Sequence, residues 1–234
     1  MDNFNAFHQE EFPTVLSPNE SHMACLLLLD TSGSMDGDPI KQLNKALNEF
    51  KETVCKDPRT RERVDIAVVE FNDSPTVRQG FVPIPEMNTF SLKAGGGTNM
   101  TAAFRTAIPM IKERTRILKK AGAQPYKPWI VLISDGFDNN IREISQEIAQ
   151  QSKEGKLKVI ALGVEGYDSD TLHELAPGGV IKLHGYNFSE FFDWLHKSFA
   201  VISSKSPGEP VVGEMLTENM DIDPKKDTTN ILNN

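Results

Sequence analysis

Five short stretches of this chain are apolar almost without interruption: Ala24 to Leu29, Val64 to Phe71, Trp129 to Ser134, Leu157 to Gly163 and Val180 to Leu183. Each has the length of a strand but lacks the polar-apolar alternation of a half-exposed one. They therefore predict strands buried on both faces, as in a parallel sheet. Between them, apolar residues recur at helical spacing. Ile40, Leu43, Leu47, Phe50 and Val54 form one stripe, Met100, Ala103, Phe104, Ala107, Ile108 and Ile111 a second, and Phe188, Phe191, Phe192, Leu195, Phe199 and Ile202 a third. Strands alternating with helices predict an α/β fold, a Rossmann-like doubly wound and mostly parallel sheet. The four-residue turn "NDSP" after Phe71 leaves no room for a crossover, so Thr76 to Val82 is expected as one antiparallel edge strand.

Local signals set the boundaries. Asp38-Pro39 reads as an N-cap followed by proline at the first helical position. Asn140 with Glu143, and Asn187 with Glu190, have the spacing of capping boxes. Pro109 removes a backbone donor inside its helix, where a kink is expected. No internal repeat or low-complexity tract is present. The expected organisation is an N-terminal arm over 1–22, one domain over 23–206 and an acidic tail over 207–234, too poor in large apolar residues to offset the entropy of ordering.

Composition narrows the classes of function. The formal net charge over 234 residues is −8, which argues against binding nucleic acid or an anionic membrane surface. No apolar run is long enough for a membrane span, and the first twenty residues carry acids where a signal peptide would carry bases. A soluble, cytoplasmic protein is expected. Cys25 and Cys55 come to the same edge of the predicted sheet, yet in a reducing compartment they are expected as free thiols.

Against this background the stretch "LLLLDTSGSMDGDPI" stands out. In an open α/β sheet, ligands bind outside the carboxyl ends of the strands. Asp30, Ser32 and Ser34 sit at such an end, Thr98 follows "AGGG" at the start of a helix, and Asp135 ends another strand in "VLISDG". Two aspartates and three hydroxyls from three loops are thus expected to meet at one rim. An all-oxygen set without histidine or cysteine suits Mg²⁺, with Mn²⁺ or Ca²⁺ as substitutes, and is unsuited to Zn²⁺. Because neutral hydroxyls fill much of the shell, the cation stays short of negative charge and should draw a carboxylate from outside.

Asp30-x-Ser32-x-Ser34, Thr98 and Asp135, in this order, resemble the metal-ion-dependent adhesion site of von Willebrand factor A domains, with all five positions filled. The resemblance covers about Ala24 to Ser204. It implies that the serines and the threonine touch the metal, that the aspartates act directly or through water, and that an acidic residue of a protein partner completes the shell. "LLLLDTSGSMDGDPIKQLNKAL", "YKPWIVLISDG" and "FFDWLHKSFAVISSKSPG" resemble the bacterial TerY-like branch, named for tellurite resistance. Genes of that branch often lie beside a protein kinase and a PP2C-type phosphatase, which implies a scaffold or adaptor in stress or phospho-signalling. This chain departs from the branch in Gly97, Glu70 and its acidic tail.

Other readings of the same residues are weaker. A reading of Asp30, Ser32 and Ser34 as only a side-chain-bonded turn leaves Thr98 and Asp135 coincidental. Gly95, Gly96 and Gly97 match neither phosphate-binding glycine motif. Asp36 and Asp38 lie near the rim as candidate extra ligands, Asp38 being expected chiefly as a helix N-cap; Asp138 is expected either to line the rim or to serve a helix start, and Glu70 is expected half-exposed or paired with a base. The alternative to a binding module is a metal-dependent hydrolase or phosphatase using the same site. None of His8, His22, His173, His184 and His196 falls in the three loops, and no G-x-S-x-G elbow appears. The chain is therefore expected not to be an enzyme.

Overall fold

The computed structural model describes residues 15, 17–138, 140–209 and 219–223. In chain order these form β1 (Met23–Asp30), α1 (Asp38–Cys55), α2 (Pro58–Arg63), β2 (Val64–Phe71), β3 (Pro75–Pro83), α3 (Met100–Lys120), β4 (Trp129–Ser134), α4 (Arg142–Lys153), β5 (Lys158–Gly163), α5 (Ser169–Leu175), β6 (Val180–Leu183), α6 (Phe188–Ser203) and β7 (Met220–Ile222). One sheet runs β3-β2-β1-β4-β5-β6-β7. The five central strands are parallel, and β3 pairs antiparallel with β2 as the short turn required.

The unbroken leucines of β1 are explained by the two layers around them. Cys25, Leu27 and Leu29 join the core beneath α1 and α6, while Ala24, Leu26 and Leu28 join the core beneath α3 and α4. The first core is aromatic. Phe50 of α1 lies 4.9 Å from Phe192 and 6.3 Å from Phe199, both of α6, between ring centroids. Such pairs add roughly 0.5–1.5 kcal/mol each beyond the area they bury, and they fix α1 against α6.

At the amino ends of the strands, three polar side chains are buried together. Arg114 of α3 meets Asp65 of β2 at 3.0 Å, and His22 Nδ1 lies 3.3 Å from the same carboxylate. This pairing ties the later turns of α3 to the sheet. Both cysteines are free, Cys25 buried and Cys55 partly so. Of the expected arm, Val15 and His22 are buried; most of its other residues lie outside the described ones. Among the described residues no helix is long and apolar enough to cross a membrane.

Several local expectations change. Asp38 is the first residue of α1, not its cap; Gly37, at φ 87°, holds the cap position, where a positive φ favours glycine. α3 continues through Pro109 to Lys120. Ile141, not Asn140, precedes α4, and its side chain has no acceptor with which to cap the helix; Glu143 pairs with Arg105 of α3 at 3.1 Å. Asn187 does cap α6 by position, but its amide donates to the Glu190 carboxylate and makes no side-chain cap to the backbone. The short helices α2 and α5 were not expected; Asp57 and Asp168 cap them by accepting from Arg59 N and Thr171 N.

The tail is corrected in part. Residues 219–223 belong to the sheet, where β7 pairs antiparallel with β6 and adds a second antiparallel edge. Asp223 anchors it by accepting from Tyr167 Oη at 2.7 Å and Ser169 Oγ at 2.6 Å, with His173 Nε2 at 3.1 Å. Residues 210–218 and 224–234 of the expected tail lie outside the described residues.

Candidate functional site

The rim above β1 and β4 is where the direction of winding reverses, since β1 leads outward to β2 while β4 lies on its other side. Loops leave such neighbouring strands in opposite directions and open a crevice. Asp30 ends β1 inside it and is fully buried. One carboxylate oxygen accepts from Ser32 N at 2.8 Å, and the other accepts from Ser134 Oγ at 2.5 Å. Ser32 Oγ lies 3.0 Å from Ser34 Oγ, and Ser34 Oγ donates to Asp135 Oδ1 at 2.9 Å. Four of the five expected residues are thus linked in one hydrogen-bonded chain.

Thr98 reaches the same place from a third loop, outside that chain of bonds. Gly136 separates it from Asp30, and the gap is narrow. A Cβ at position 136 would lie 2.9 Å from Asp30 Oδ2 and 2.9 Å from Thr98 Cγ2. Glycine is therefore required there by close approach, and Asp30, Thr98 and Asp135 converge around it.

Backbone bonds lock the loops together. Gly33 N donates to Gly96 O and Gly95 N donates to Thr31 O, both at 2.9 Å. Asp73, in the turn between β2 and β3, accepts from Gly97 N at 2.8 Å. Gly96 adopts φ 81°, and a Cβ there would collide with the Asp73 carboxylate. Asp138 accepts from Met100 N at 2.8 Å and so holds the start of α3, a helix-start role served on a different helix from its own. Asp36 and Asp38 are exposed, Asp38 lying 3.7 Å from Lys41. Glu70 is half-buried and pairs with Arg78 at 3.5 Å.

The electrostatics are uneven. Burial pushes the Asp30 carboxyl above the usual carboxylate range, against the hydrogen bonds from Ser134 and Ser32, and nearby Asp135 adds to the rise. Burial also raises Asp135, opposed by the bond from Ser34. Every direct partner of Asp30 is a neutral donor, and none is a base. Among the described residues no three of His, Cys, Asp and Glu gather into a metal-binding group, so the site's oxygens come from two carboxylates supplemented by hydroxyls. That donor set fits a hard divalent cation that keeps several waters.

Ser134, Gly136 and Asp73 are site residues that spacing alone did not single out. "ISDG" carries the first two beside Asp135, which is the one available signal. Phe137 also joins the rim: it is 55% exposed, immediately beyond the site, and it lines a groove with Arg142, Asp168 and Glu174.

The family profile described as von Willebrand factor type A domain matches residues 26–199. Similar folds occur in a von Willebrand factor type A protein from Catenulispora acidiphila, with TM-score 0.60, 18% identity, and coverage of 77% of this chain and 43% of that one. The vWF domain of the type V pili tip protein Mfa5 from Porphyromonas gingivalis gives TM-score 0.58 and 12% identity, covering 80% of this chain and 98% of that one. Proximal thread matrix protein 1 of the mussel byssus gives TM-score 0.52 and 19% identity, covering 81% and 47%. The chain spans less than half the length of the Catenulispora and mussel chains. A comparison with curated proteins finds no match. The likeness to solved structures shows the fold, and the profile match over most of the chain shows the family: this chain belongs to the von Willebrand factor type A domain family.

Proposed function

We propose that this domain is a metal-dependent protein-binding module, in which Asp30, Ser32, Ser34, Thr98 and Asp135 hold Mg²⁺, or Mn²⁺ or Ca²⁺ in its place, and the cation engages an acidic residue of a protein partner. The observation that carries the reading is a fully buried carboxylate, Asp30, whose partners are all neutral. A buried charge is ordinarily paired with a base or a metal. When bound, the cation supplies a Lewis-acidic point for an incoming carboxylate. The protein's own part is to present hydroxyls at fixed positions, through the loop bonds of Gly33, Gly95 and Gly97, and to offer Phe137 as an apolar contact beside the metal.

Binding is favoured over hydrolysis because a hydrolase needs a base near the scissile bond. The four described histidines lie elsewhere: His22 is with Asp65, His173 with Asp223, His184 with Asp221, and His196 is on α6 near Asp57. The signalling setting, an adaptor working with a protein kinase and a PP2C-type phosphatase in the cytoplasm, is carried as part of the proposal on the resemblance of the three quoted stretches.

A pull-down from the protein's own cells, with and without EDTA, tests this. Thr98→Ala and Asp135→Ala should each weaken capture about 10- to 100-fold, taking substitutions around bound metals as the guide, and EDTA should reproduce the loss. Capture that survives EDTA and both substitutions would mean that the partner uses another face.

A further inference from the structure

At the opposite end of the sheet from Asp30, the segments leading into β4 and β5 border a cavity of about 480 Å³. β4 has six residues, which at about 3.3 Å each puts roughly 20 Å between the two ends of the strand. This cavity is therefore separate from the rim and does not rest on the metal reading.

Its charge runs against that of the whole molecule. The chain carries a net −8, yet the cavity is lined by Lys112 and Lys119 of α3, Lys127 before β4 and Lys156 in the turn before β5, with no acid among its lining residues. Lys112 and Lys156 meet Glu147 and Glu154, which stand outside the lining, at 3.6 and 2.6 Å. Lys119 and Lys127 have no acidic partner among the described residues. Burial, and after it the charge of Lys127, pushes the ammonium of Lys158 down to about 7.

The remaining surface is largely apolar. Ile111 and the buried ring of Tyr126 contribute to it, and the Tyr126 hydroxyl is already engaged, donating to the Lys205 carbonyl at 2.7 Å. Concave, partly apolar sites of roughly 300–1,000 Å³ with a few placed charges are the usual form of a small-molecule site. Lysine ammonium groups bind phosphate as point charges.

We propose that this cavity is a second binding site, taking a small phosphate ester whose phosphate lies between Lys119 and Lys127 and whose apolar or aromatic body rests against Ile111 and Tyr126. The test uses the full chain in EDTA, so that no metal competes for the probe, with phenyl phosphate titrated by calorimetry and by amide chemical shifts. Saturable one-to-one binding is expected, with shifts confined to residues around Thr115, Lys127 and Gly155. Inorganic phosphate, which lacks the ring, should bind about tenfold more weakly. Combining Lys119→Gln with Lys127→Gln should weaken phenyl phosphate at least about tenfold and leave the melting temperature unchanged, since neither side chain is in the core. Ser32→Ala should leave binding as it was. Shifts scattered over the surface, equal affinity for the two probes, or an affinity indifferent to the double substitution would overturn the proposal. Loss of binding in Ser32→Ala would place the anion at the rim and overturn it as well.

Discussion

Asp30 and Asp65 are both buried aspartates on adjacent parallel strands, one closing β1 at the carboxyl end of the sheet and the other near the start of β2 at the amino end. Asp65 has a guanidinium and an imidazole beside it. Asp30 has two hydroxyls, a backbone N–H and a second carboxylate. The same side chain is therefore closed in one place and left short of positive charge in the other. A fold tolerates the first as structure, because the pair is complete within the chain. The second has only neutral donors and another carboxylate of the chain beside it, and it sits where the winding of the sheet opens a crevice.

The largest effect should come from breaking the complete pair. Arg114→Met leaves Asp65 buried with only His22 beside it, and breaking a buried pair from one side costs about 3–5 kcal/mol. The midpoint of urea unfolding would fall accordingly, and added Mg²⁺ would not restore it. A loss below about 1 kcal/mol would show that the pair is not the closed unit described here.

Asp223 is an intermediate case, and it sharpens the contrast. Burial opposes its charge, but the hydroxyls of Ser169 and Tyr167 and the imidazole of His173 outweigh that and hold its carboxyl well below the usual range. A carboxyl depressed in the folded state contributes stability above its unfolded value of about 3.9 and loses it as pH falls toward the folded value. Asp223→Ala should therefore cost about 1.5–3 kcal/mol at neutral pH, the range for hydrogen bonds to a charged group, and should flatten the loss of stability on the acid side. A cost near zero would mean that β7 is held by its pairing to β6 alone.

The smallest effect is expected at Asp30 itself, in EDTA. Its carboxyl is raised in the folded state, so its ionisation weakens the fold as pH rises from about 3.9 toward the folded value, and the cost persists at neutral pH. Asn can still accept from Ser32 N and can donate to Ser134 Oγ. Asp30→Asn should then be neutral or stabilising by up to about 1 kcal/mol in chemical denaturation. A clear destabilisation would show that Asp30 is a structural acceptor like Asp65.

The contrast also separates what a sequence displays from what it hides. Strands buried on both faces leave contiguous apolar runs, and long helices leave stripes, so the strands β1 to β6, the antiparallel edge at β3 and the large helices were legible, while the order of the strands in the sheet was not. The rim was legible because Asp30, Ser32, Ser34, Thr98 and Asp135 each follow a readable strand or precede a readable helix. Asp65 and Arg114 are 49 residues apart, and neither lies in a motif that names the other. Asp138 was read against its own helix, whereas it serves α3 across the crevice, because nothing local records which N–H a carboxylate will meet. β7 is three residues long among acids and is held by Tyr167, Ser169 and His173 from elsewhere in the chain. α2 and α5 are too short to complete a stripe.

The central claim, that Asp30 lacks a positive charge which a divalent cation supplies, is tested most directly by Mg²⁺-dependent unfolding of the wild type and of Asp30→Asn. A ligand that binds only the folded state stabilises it by about 2.7 kcal/mol at a hundredfold excess over its dissociation constant. The wild type should gain unfolding free energy along that curve as Mg²⁺ is titrated in, and Asp30→Asn should gain none. Equal gains in the two proteins, or no gain in the wild type at any Mg²⁺ concentration, would contradict the account.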